Sequence, residues 1–283
     1  MVGQVLAFPR RTQTEPAVAE GLELLLAGPE GARPATLLFL HGASVGAWVW
    51  AEHAMPAFAR AGWRCGAVSF RGHGQSSGRS ALHGWGLLDY VTDARAAIAA
   101  IEGPVVLVGH SLGALVAQML LGDPRVAAIV MLAPVPAEGL AAVNVRLPLT
   151  DPFLWKEVAR MPWLAGGLAP PERLRHALFS ARLPDERALA LMARMQPESL
   201  RALAEAQWPR PVASARLVGT PALVLGAAKD PLVPEDTVLR TAWFHGADRA
   251  MLDHIGHAMM LDAGWEQPVA LALAWLEGLC LGR

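Results

Sequence analysis

Along the chain, short apolar runs alternate with stretches whose apolar positions recur every three or four residues. That alternation predicts a mostly parallel sheet flanked by helices. Leu22–Ala27 and Thr36–Leu40 read as strands, followed by a helical stretch from Trp50 to Ala61 that Gly62 stops. Arg64–Phe70 reads as the next strand, and Leu87–Ile101 as an amphipathic helix broken by Gly103-Pro104. Val105–Val108 is an apolar run without alternation, as a central strand covered on both faces requires. Ser111–Leu121 then reads as a helix and Val126–Ala133 as another continuous apolar strand.

From Pro134 to Pro211 the pattern changes. Prolines become frequent, strand-like runs stop, and helix-like segments appear at Pro171–Leu183 and Asp185–Met195. Strands return at Ala222–Leu225 and near Ala250–Leu252, and Gln267–Leu279 closes the chain as a helix. The expected organisation is an α/β core of residues 1–134 and 212–283, with residues 135–211 as a helical cap inserted between two strands of one sheet. There is no internal repeat or low-complexity tract.

Composition narrows the function classes. A length of 283 residues suits one large domain with an insertion, able to fold without disulfide or metal. With 24 basic and 25 acidic side chains, the chain lacks the basic excess that binds nucleic acid. Mean hydropathy is +0.32, yet no apolar run reaches the roughly 20 residues of a spanning helix. Met1–Arg11 lacks the apolar core and cleavage site of a signal peptide. Cys65 and Cys280 lie far apart and form no metal or redox spacing. A soluble cytoplasmic protein is expected, with neither cofactor nor metal.

On such a sheet, Gly-x-Ser-x-Gly marks a sharp strand-to-helix turn that lifts a serine hydroxyl clear of its surroundings. The pattern occurs three times, around Ser44, Ser76 and Ser111. Only Ser111 sits directly between a buried strand and an immediate helix, so it is the candidate nucleophile; an ordinary helix N-cap explains the serine but not its glycines. A serine needs a base to take its proton and a third group to orient that base. Chain order on this scaffold places the acid after the nucleophile and the histidine last. Asp230, in the loop after Ala222–Gly226, has that place, although a turn-forming Asp before Pro231 is the plainer reading. His257, after Gly256, is preferred over His254, which is nearer the strand and better placed to pack or cap. His41 is expected to shape its loop, and the side chain of His110 to point away from the nucleophile. The backbone N–H groups of Leu112 and Ala43 are the expected donors to an oxyanion.

These residues carry a resemblance. His41-Gly42 followed by Gly46-Ala47-Trp48, Arg71-Gly72-His73-Gly74-Gln75-Ser76, Gly109-His110-Ser111-Leu112-Gly113, Asp230 and Gly256-His257 together resemble the α/β-hydrolase fold family from about Leu22 onward. The likeness implies an eight-stranded, mostly parallel sheet with the insertion as a cap over the site. It also implies a Ser-Asp-His triad. Ser111 stands where related dehalogenases and epoxide hydrolases carry Asp, and the longer His-Gly-Gly-Gly motif of hormone-sensitive-lipase-like enzymes is missing. The Arg71–Ser76 turn is similar to that of bacterial esterases and lysophospholipase-like proteins.

The expected activity is therefore hydrolysis of small to medium carboxylic esters through an acyl-enzyme. Its partner is a small-molecule ester with an apolar acyl or alcohol part. Phe153, Trp155, Met161, Trp163, Leu164, Met192 and Met195 either pack the insertion on the core or line an apolar pocket. Arg160, Arg173, Arg175, Arg182 and Arg194 read as a solvated face, with capture of an anion as the alternative. Acyl transfer, C–C bond hydrolysis and a lyase reaction use the same triad and stay open. So do a non-catalytic ligand-binding role and a homodimer.

Overall fold

A computed structural model describes residues 21–29, 33–163 and 172–279. Seven strands form one sheet: β1 (Leu24–Ala27), β2 (Thr36–Leu40), β3 (Arg64–Val68), β4 (Val105–His110), β5 (Val126–Leu132), β6 (Ala222–Ala227) and β7 (Asp248–Leu252). Their order is β1-β3-β2-β4-β5-β6-β7; β1 runs antiparallel to β3 and every other pairing is parallel. The eighth strand that the resemblance implies is not among the described residues.

Helices α1 (Trp48–Ala51), α2 (Ala54–Arg60), α3 (Leu87–Ala100) and α4 (Leu112–Gln118) follow the first strands. The single helix expected over Trp50–Ala61 is thus two, broken at His53, whose φ of −139° leaves the helical region. Gly62 ends α2 with φ +85°, the left-handed stop its sequence position predicts. All six residues of β4 are buried, which accounts for its unalternating pattern; each large aliphatic side chain there contributes about 1.5–3 kcal/mol by leaving water.

Between β5 and β6 the described chain is helical, with α5 (Ala141–Thr150), α6 (Pro152–Val158), α7 (Glu172–Leu178), α8 (Asp185–Met192) and α9 (Leu200–Glu205). Pro152 occupies the first turn of α6, where its missing N–H costs nothing, and Asp151 caps that helix by accepting from Leu154 N at 3.0 Å. Helix α10 (Glu235–His245) crosses from β6 to β7, and α11 (Glu266–Gly278) closes the described chain. Trp243 and Phe244 are exposed and blur the apolar face of α10, so apolar periodicity does not predict this helix. Its punctuation is nevertheless in the sequence: Pro234 before Glu235-Asp236 at one end, left-handed Gly246 at the other.

One buried polar cluster ties α10 to the core. His245 Nδ1 accepts from Ala215 N at 3.1 Å, so Nε2 carries the proton that it donates to Gln118 Oε1 at 3.1 Å. Gln118 then donates to Ala114 O and Val135 O, linking α4 to the chain entering the insertion. Burial pushes the His245 pKa down to about 4. An unfolded histidine protonates near 6.5. As pH falls through the window from about 6.5 to about 4, the unfolded state therefore takes up a proton that the folded state refuses. Urea midpoints are expected to fall across that window, and His245→Asn to flatten the decline by up to about 1.4 kcal/mol per pH unit.

Candidate active site

The C-terminal ends of β2, β4, β6 and β7 carry the loops that form the site, the edge of a parallel sheet where ligands collect. Ser111 joins β4 to α4 with φ +51° and ψ −116°, a backbone conformation that few non-glycine residues adopt. The flanking glycines explain how the turn closes. A Cβ on Gly109 would lie 2.5 Å from Ala114 Cα, and one on Gly113 would lie 2.3 Å from the carbonyl oxygens of Leu40 and His41. Helix α4 can begin immediately after β4, pressed against the end of β2, only because both positions lack side chains.

The other two Gly-x-Ser-x-Gly matches have different work. Ser76 is buried, donates to Ser69 O at 2.6 Å and accepts from Glu23 N at 2.9 Å, pinning a turn. Ser44 is also buried, with φ +64°, and its hydroxyl has no hydrogen-bond partner among the described residues.

Asp230 and His257 come together from different loops, with Asp230 Oδ2 2.6 Å from His257 Nδ1. The other oxygen of Asp230 accepts from Leu232 N at 2.8 Å and Val233 N at 3.0 Å. The turn-forming reading of Asp230 is therefore true of Oδ1, while Oδ2 holds the imidazole. Because a carboxylate only accepts, Nδ1 carries the proton and Nε2 is left with a lone pair. Both side chains are buried. His254 is exposed, with φ +59°, and neither packs in the core nor joins this group.

His110 departs from expectation. Its ring lies 4.8 Å from that of His257, lining the same cavity, and Nε2 donates to His257 O at 2.9 Å. Burial, reinforced by His257, holds its pKa well below the usual histidine value. The residue thus braces the His257 loop as a neutral ring. Sequence separation concealed this, since the β7–α11 loop must fold back over β4 to make the contact. His41 shapes its loop as expected: Nδ1 donates to Gly42 O at 2.8 Å and Nε2 accepts from Phe70 N at 3.0 Å. Burial, then the charge of His73, pushes its pKa down to about 3.

Ala43, Ser111, Leu112 and His257 line one cavity of about 140 Å³. The first-turn N–H of Leu112 has no intrahelical acceptor, and a Cβ on Gly42 would lie 3.2 Å from Ser111 Cβ, which brings the Ala43 loop against the serine. The insertion supplies Leu147, Val158, Leu178, Leu191 and Met195 to the wall. Of the apolar residues singled out there by sequence, Met195 lines the cavity and Met192 is buried, whereas Phe153, Trp155 and Trp163 are exposed; Leu164 lies outside the described residues. Arg175 is buried and paired with Asp185, while Arg194 bonds Glu52 at 2.9 Å and lies 3.8 Å over the Trp48 ring. Both arginines are thus engaged with protein partners.

The insertion also grips the His257 loop. His257 N donates to Ala177 O and Ala258 N to Leu178 O, while Asp262 accepts from Ser180 N, Ser180 Oγ and Gly256 N. A Cβ on Gly256 would lie 2.5 Å from Leu178 O, so that contact also needs glycine. Among the described residues, no group of three or more His, Cys, Asp or Glu side chains could hold a metal ion, and no helix is long and apolar enough to cross a membrane.

A model of the alpha/beta hydrolase family matches residues 37–274. No curated protein matches the sequence. Solved structures share the fold. Rv0554 of Mycobacterium tuberculosis is 23% identical with a TM-score of 0.65 over 90% of this chain and 92% of its own. A hydrolase from Oleispira antarctica is 17% identical with a TM-score of 0.67 over 93% and 97%. An esterase from Exiguobacterium antarcticum is 14% identical with a TM-score of 0.66 over 90% and 94%. At these identities the likeness is one of fold.

Because a methyl at Gly113 would overlap two backbone carbonyls, neither side can relax by turning a rotamer. Gly113→Ala is expected to cost about 2–3 kcal/mol or more in urea unfolding, and Gly122→Ala, which meets open space, to cost less despite its left-handed φ.

Proposed function

Since the chain belongs to the alpha/beta hydrolase family, we propose that it is a cytoplasmic serine hydrolase cleaving small to medium carboxylic esters. The observation that carries this reading is the 2.6 Å pairing of His257 with Asp230, with His257 and Ser111 both lining one mostly apolar cavity. In the proposed cycle, Ser111 Oγ bonds to the ester carbonyl carbon while His257 Nε2 takes its proton. Asp230 keeps the imidazole in the required tautomer and stabilises its cationic form. The amides of Ala43 and Leu112 hold the oxyanion, a contribution worth about 2.7–4 kcal/mol per donor in comparable sites.

Collapse of the tetrahedral intermediate breaks the bond to the alcohol oxygen, which receives the proton from His257. In the second half of the cycle the oxygen of a water bonds to the acyl carbon while His257 Nε2 takes its proton, the bond to Ser111 Oγ breaks, Oγ receives that proton, and the acid leaves. Residues 135–211 act in this reading as the cap, placing Leu147, Val158, Leu178 and Leu191 around the apolar part of the substrate.

The test is hydrolysis of p-nitrophenyl acetate, butyrate, octanoate and palmitate by wild type and Ser111→Ala, with a fluorophosphonate label located by peptide mass. Turnover is expected to favour the shorter chains, as the cavity size suggests, and to vanish in Ser111→Ala, with the label on Ser111. Full turnover by Ser111→Ala, or a label on another serine, would overturn the assignment. Asp230→Asn is expected to lower kcat roughly 10⁴-fold, since the wrong tautomer leaves no lone pair facing the serine. Adding a competing alcohol distinguishes transfer from hydrolysis: a new ester in place of the free acid identifies an acyltransferase.

A further inference from the structure

Residues 196–199 of the insertion form a polar hub that the proposed cycle does not use. Glu198 is fully buried. Its Oε2 accepts from Ser44 N at 2.8 Å and from His73 Nε2 at 3.1 Å. Its Oε1 accepts from Tyr90 Oη at 2.8 Å and Ser199 N at 2.7 Å. Nearby, Gln196 N donates to Ser44 O at 2.9 Å, and its side chain accepts from Gly74 N and donates to Gly72 O, each at 3.0 Å. The insertion therefore holds both backbone polar groups of Ser44, a residue in the left-handed region.

We infer that Glu198 is a positioning residue for the loop carrying the Ala43 amide, holding that donor in place through Ser44; this rests on the hydrolase reading above. Ala43 is fixed from both sides. Gly42 before it is pressed against His110 and Ser111, and Ser44 after it is bound to Glu198. A loop with a left-handed residue and no regular hydrogen-bond ladder would otherwise exchange peptide orientations. An amide displaced by a fraction of an ångström stabilises an oxyanion far less than an aligned one.

The chemistry of the hub calls for a carboxylate. Four donors converge on its two oxygens, and only a carboxylate accepts from all of them without presenting a hydrogen of its own. A glutamine would turn its NH₂ toward either Ser44 and His73 or Tyr90 and Ser199. Burial opposes ionisation of Glu198, but the His73 charge and the converging donors outweigh it and hold its pKa down at about 2. Burial likewise opposes a charged His73, and the Glu198 carboxylate reverses that effect and raises its pKa. Each charge is the condition for the other, as a buried ion pair requires.

The experiment compares kcat and KM for p-nitrophenyl butyrate in wild type, Ser111→Ala, Glu198→Gln, His73→Ala and His73→Gln, with folding checked by circular dichroism and thermal unfolding. Folded Glu198→Gln is expected to lose about 10²-fold in kcat with KM changed less than about threefold, the pattern of a donor lost to the transition state. His73→Ala is expected to lose kcat as well, and His73→Gln, whose amide can still donate to Oε2, to recover part of it. A folded Glu198→Gln at wild-type kcat, or one affected only in KM, overturns the inference. Where Glu198→Gln does not fold, folded His73→Ala decides in the same way. Wild type that turns over no better than Ser111→Ala overturns the hydrolase reading itself, and the inference with it. Normal wild-type turnover confines a negative result to Glu198.

Discussion

Helix α4 starts where β4 ends, and it does so within touching distance of the last carbonyls of β2. Gly113 allows that approach, Gly109 allows the turn, and Ser111 adopts a left-handed conformation between them. The other features of the site are placed relative to this contact. It sets Ser111 and Leu112 in the wall of one cavity and brings the Gly42-Ala43 loop against the serine. Backbone strain at Ser111 costs of order 1–3 kcal/mol, which the surrounding packing must supply. Strands β2 and β4, buried at every residue, and β5, buried at all but Ala127, provide the seat for it.

The helical insertion is bonded into this arrangement at two points. Ala177, Leu178 and Ser180 bind the His257 loop through backbone hydrogen bonds and Asp262. On the opposite side, Gln196 and Glu198 bind the loops that follow β2 and β3. The Glu52 pairs with Arg187 and Arg194 are solvent-facing and add little, because exposed ion pairs are worth at most about 1 kcal/mol. The buried contacts matter more. They couple the shape of the cavity wall to the geometry of the loops beneath it, so changes in the insertion reach the site without touching a reacting atom.

Histidine shows how environment decides the use of one residue type. His41, His110 and His245 are buried beside backbone or amide partners and are held neutral, whereas His73 lies against Glu198 and is drawn toward its charged form. His257 faces a carboxylate on one nitrogen and the cavity on the other. The five side chains have the same intrinsic chemistry. Burial and the nearest acceptor separate them into braces, one half of an ion pair and a candidate base.

The sequence by itself determined the sheet, most of its strands, the position of the helical insertion and the candidates Ser111, Asp230 and His257. Those features depend on local information: apolar run length, glycine placement and the order of loops along a parallel sheet. Tertiary structure alone decided why the match at Ser111 needs its glycines, since Gly109 and Gly113 press against the backbone of α4 and of the chain leaving β2. It also brought His110 beneath His257, left Phe153, Trp155 and Trp163 facing solvent, and joined Glu198 to Ser44 across 154 residues. A buried carboxylate announces itself in no local periodicity. Its role is set by the donors that converge on it, and three of the four arrive from distant parts of the chain only when the fold is complete.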